Sequence, residues 1–168
     1  MKSVLGIVLC GMIWFSCQEN ENTNEFTGNE TTYSLQSASQ YNVSGIVTIK
    51  ERRDGTSTVL VNLQGTSGDS KLPVHLHLGD IATPGADVAA LLSPVNAKTG
   101  ISETSFSQLA DESSILYADL IKLEACIKVH LSDVGPERDI ILAGGNIGQS
   151  VAKAAASGRI GVGVCKSE

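Results

Sequence analysis

The chain has 168 residues, of which 42% are hydrophobic and 18% charged, and its formal net charge is −6 at neutral pH. That size and balance suit one globular domain with appendages, and the lack of a basic patch argues against a nucleic-acid partner. Aromatic residues make up only 4%, so the core must be built from Val, Ile, Leu and Ala.

The first stretch reads MKSVLGIVLCGMIWFSC. One lysine precedes an apolar run from Val4 to Phe15, which is short for a bilayer span and fits the core of a signal peptide. Its end, WFSC, resembles a bacterial lipoprotein cleavage site. That resemblance implies a signal peptide over 1–16 and a lipid on Cys17 that attaches the chain to a membrane. An ordinary secretory signal with Cys17 merely nearby is the alternative. From Gln18 to Gln40 the chain is rich in Asn, Glu, Thr and Ser and poor in large apolar residues, so 17–40 is expected to be a flexible tether. Its acidic start resembles the surface-export signal of lipoproteins in some Gram-negative bacteria, although a solvated linker has the same composition. The implied location is the cell envelope, lipid-anchored at the outer membrane or the cell surface of such a bacterium.

The texture changes at Tyr41, and 41–168 reads as a β domain. Val43–Glu51 and Ser57–Gly65 alternate as strands, joined by a hairpin turn at Asp54-Gly55. Lys71–Leu78 is a third strand. Ala86–Leu92 reads as a strand or a short helix, and Ser107–Glu124 as a long connection with one or two helical turns. Leu123–Leu131, Arg138–Gly145 and Gly158–Cys165 complete the set. Short strands with regular turns point to an all-β sandwich or Greek-key β-barrel.

The chain has three histidines. In KLPVHLHL, Leu72, Val74, Leu76 and Leu78 claim the core face, so His75 and His77 share the other. In EACIKVHL, Ala125, Ile127, Val129 and Leu131 point inward, which turns Cys126, Lys128 and His130 outward. In RIGVGVC, Gly161, Gly163 and Cys165 point outward by the same count. All three histidines therefore fall on one outer face, and three imidazoles from two strands suit copper or zinc. They also read as three exposed rings with no task. Lys128 beside His130 would repel a cation or attract an anion. With Cys10 lost in the signal and Cys17 lipidated, Cys126 and Cys165 remain, and an exported chain with two cysteines invites one disulfide. The two could meet if the last strand pairs beside Cys126.

VNLQGTSGDSKLPVHLHLGD, IKVHLSDVG and AGGNIGQSVAKAAASGRIGVGV together resemble Cu/Zn superoxide dismutases, in matching order over about Val43 to Val164. The resemblance implies an eight-stranded Greek-key β-barrel with copper outside it beneath long loops. It also implies His75, His77 and His130 as copper ligands and Arg159 as the arginine that guides an anionic substrate. Arg159 equally reads as a turn residue bonded to nearby carbonyls. The chain departs from the family in lacking the bridging histidine and the other zinc-site histidines, so no zinc is expected. Cys165 lies farther along the last strand than the family's cysteine.

HLHLGDIATPGADVAALL and YADLIKLEACIKVHLSD also resemble the chordin-type (CHRD) domain, an extracellular β-sandwich module. Three functions follow: a copper-binding module without turnover, a copper-only superoxide dismutase, and a surface interaction module that uses no metal.

Overall fold

A computed structural model describes residues 25–158 and the backbone of 165–166. Eight strands form the body: β1 (Phe26–Ser37), β2 (Ser44–Arg52), β3 (Ser57–Gln64), β4 (Lys71–Leu78), β5 (Val88–Asn96), β6 (Ile101–Phe106), β7 (Glu124–His130) and β8 (Ile141–Gly148). Two short helices, α1 (Tyr117–Leu120) and α2 (Gln149–Ala156), and a two-residue strand, β9 (Cys165–Lys166), complete the described elements.

The sheet runs β2-β3-β6-β5-β4-β7-β8-β1, and the pairing of β1 with β2 closes it into an antiparallel barrel. Strands β4, β5 and β6 follow one another, and β7 then returns to lie beside β4, which is a Greek-key connection. Closure removes the free edges that an open sheet would present.

Alternation drives this packing. Val47 and Ile49 on β2, Val59 and Val61 on β3, and Val74 and Leu76 on β4 point into one core. Ala125, Ile127 and Val129 on β7 join them from across the barrel. Leu78, at the end of β4, departs from the expected inward direction and is exposed. The expected hairpin is present between β2 and β3. Asp54 Oδ1 accepts the Thr56 N–H at 2.9 Å, and Gly55 takes φ +82°, a conformation other residues rarely adopt.

Several expectations require correction. The tether expected over 17–40 contains β1, the strand that closes the barrel, so the domain does not begin at Tyr41. Thr31, Tyr33 and Leu35 alternate into the interior, and Leu35 is 0% exposed. The Thr31 hydroxyl lies 3.0 Å from the Tyr117 hydroxyl, which satisfies a buried polar atom in this otherwise polar stretch. Within Ala86–Leu92 the chain is a strand from Val88, where β5 begins, and β5 continues to Asn96. Strand β6 was not anticipated; its sequence, ISETSF, buries only Ser102 and Phe106. Strand β8 starts three residues later than expected because Pro136–Asp139 forms a 3-10 turn. Of the strand expected over 158–165, residues 159–164 lie outside the described residues.

Candidate metal centre

Strand β4 carries His75 and His77, and β7, its antiparallel neighbour, carries His130. His75 stands opposite Lys128 and His77 opposite Cys126 in the register. The expected parity therefore holds for all three imidazoles. Ring centroids are 4.7 Å apart for His75 and His130, 5.8 Å for His75 and His77, and 6.2 Å for His77 and His130.

One potential ligand nitrogen from each ring lies within 4.8 Å of the others. Three donors on one ion with metal–nitrogen bonds of about 2.1 Å lie about 3.4–3.6 Å apart, so binding would draw the more widely spaced rings together.

Two register irregularities flank the cluster. Opposite β4, Ala90 faces Leu76 while Val88 faces His77, leaving Ala89 as an extra residue on β5. Opposite β7, Ala143 faces Val129 while Ile141 faces His130, leaving Leu142 extra on β8. Bulges increase local twist and re-aim side chains, and they recur beside functional sites.

The backbone fixes which nitrogen each ring offers. His77 Nδ1 lies 2.8 Å from the Ala86 carbonyl oxygen, and His130 Nδ1 lies 2.8 Å from that of Arg138. A carbonyl only accepts, so Nδ1 carries the proton and donates, and Nε2 keeps its lone pair. Both Nε2 atoms are buried and have no hydrogen-bond partner. Unpaired buried acceptors are costly, and a metal ion is the partner that such a pair beside a third ring would fit. Carbonyl acceptors behind the rings are also the usual means of orienting histidine ligands.

Electrostatics keep these lone pairs free. Burial, reinforced by the charges of His130 and His77, pushes His75 down to about 4. His77 and His130 are also lowered, chiefly by burial, with their carbonyl hydrogen bonds opposing the shift and the Lys128 charge adding to it. At neutral pH the rings are uncharged and ready to ligate.

The segment between β4 and β5 folds over the same face. Asn146 on β8 accepts the Ile81 N–H at 2.7 Å and donates to Asp80 Oδ2 at 2.9 Å. The Ser150 hydroxyl donates to the Gly79 carbonyl at 3.1 Å. The far end of this pinned loop supplies the Ala86 carbonyl that holds His77. Sequence reasoning did not single out Asn146 or either carbonyl, although GD after the histidine pair and GGN on β8 were the signals that carry the network.

The disulfide expectation is corrected. Cys126 has a free thiol and is fully buried, despite lying on the outer face. Residues 165–166 pair with β1 at Thr32 and Thr31, away from β7. Burial pushes the Cys126 thiol up to about 11, so it is a poor nucleophile. The expected roles of Cys17 and Arg159 fall outside the described residues.

No family model matches the chain, and no curated protein matches it either.

Proposed function

We propose that the barrel binds one copper ion through His75, His77 and His130, and that this binding, without turnover, is its function. The observation that carries the reading is the pair of buried, unpartnered Nε2 atoms on His77 and His130, both set by backbone carbonyls, beside the His75 ring. An eight-stranded Greek-key barrel with imidazoles on its outside is also what the superoxide dismutase resemblance implies. When bound, copper would supply one-electron redox chemistry at an outer face of the barrel. The protein's contribution is to hold three neutral donors, fix the tautomers of two, and place them on paired strands.

The same reading takes 1–16 as a lipoprotein signal and Cys17 as the lipid attachment point, with the barrel displayed in the cell envelope. Binding is preferred to catalysis because the chain's three histidines are all used by one ion, leaving none to bridge to a second.

Metal analysis of the full chain after incubation with copper and removal of excess should find one ion per chain in the wild type. His77→Ala should lose it. An unloaded wild type would end the metal reading. Superoxide dismutation by the loaded protein, faster than copper in buffer, would move it to catalysis.

A further inference from the structure

Lys128 occupies the face that carries the three histidines, directly opposite His75 and two residues before His130. It is only 7% exposed. Among the described residues its side chain forms no salt bridge, and its ammonium is not one of the fully buried polar atoms without a partner, as when a long stem is covered and its charged head reaches water. The carboxylates that act nearby are engaged elsewhere. Asp80 receives the Asn146 side-chain amide and the Ala82 N–H, and Asp139 is exposed beside Arg138. The donor set itself is three neutral rings with no carboxylate.

An ion entering this site therefore brings its whole charge next to a fixed positive one, with nothing in the ligand set to offset it. Coulomb repulsion is proportional to the ion's charge, so a divalent ion suffers twice the penalty of a monovalent one. We propose that Lys128 is a selectivity residue that makes the three-histidine site a copper(I) site and discriminates against divalent ions. The proposal rests on the metal-binding reading above and names the oxidation state that reading left open.

The test compares the full chain with Lys128→Met, which removes the charge and keeps the length, and with Lys128→Arg, which keeps the charge. Lys128→Gln is a second neutral variant should the first fail to fold. Copper(I) and zinc(II) affinities are measured by competition with a chromophoric chelator under anaerobic conditions. Removal of the charge should tighten copper(I) by about tenfold and zinc(II) by about a hundredfold. The copper couple should fall by about 59 mV, which is the remaining tenfold ratio for a one-electron step. Lys128→Arg should leave both affinities near the wild type. Equal changes for the two ions, or no change, would overturn the role of Lys128 while copper binding stood. If the wild type takes up neither ion, the metal-binding reading itself fails, and the selectivity proposal falls with it.

Discussion

The two sides of the barrel are built to different rules. Across β2 and β3 the register runs without interruption from Ser44 opposite Gln64 to Glu51 opposite Ser57, and a tight hairpin joins the strands. From Glu30 to Leu35, β1 continues this regularity against β2. Around β4, β7 and β8 the ladders slip at His77 and His130, and two ring nitrogens are buried without partners. The regular side carries stability, while the irregular side gives some up to hold a poised cluster. Mutations should therefore separate the two properties.

The largest separation is expected from His77→Ala. Copper affinity should fall at least about a hundredfold, with the metal-free melting temperature nearly unchanged, since the lost ring leaves one unmatched carbonyl (about 1 kcal/mol). Isothermal titration and calorimetry on the same sample would check both halves.

Leu35→Ala is the mirror experiment. It removes a fully buried side chain from β1 and should cost about 3 kcal/mol in a urea unfolding titration, while copper affinity at low urea stays near the wild type. A strong loss of copper affinity in this variant would show that the two sides are not separable.

Asn146→Ala should fall between them. It cuts the loop between β4 and β5 free from β8, and copper affinity should drop about tenfold, as is usual when a group that orients metal ligands is lost. Normal affinity in this variant would mean that the Ala86 carbonyl is held by other contacts.

The smallest effect is a pH dependence of the metal-free protein. His75 is pushed down to about 4 in the folded state, against an ordinary value of 6.5 in the unfolded chain. On acidification the unfolded chain takes up this proton first, so the contribution to stability is complete above about pH 6.5 and is lost progressively down to about pH 4. Denaturation midpoints at pH 7, 5.5 and 4 should decline in that order, and His75→Gln should flatten the decline.

How much of this could be read from the sequence depended on how local each signal was. KLPVHLHL and EACIKVHL declare their parity through alternating Leu, Val and Ile, and that placed all three imidazoles on one face. β1 was hidden because Thr31 does the work of an apolar residue through a hydroxyl pair with Tyr117, far along the chain. β6 was hidden for a similar reason, with Ser102 buried in place of an apolar residue. The slips at Ala89 and Leu142 arise on the partner strands, so no count along β4 or β7 could find them. The isolation of Cys126 follows from β9 pairing with β1, a tertiary choice that cysteine spacing does not encode.

The seam between β1 and β8 has a consequence for biogenesis. Gln36 pairs with Gly144 and Ser37 with Ala143, so the first strand waits for residues made about a hundred positions later. A nascent polypeptide displays this edge of β1 as an open border with unmet amides, and only the arrival of β8 seals it. Such a chain favours closing in one late event.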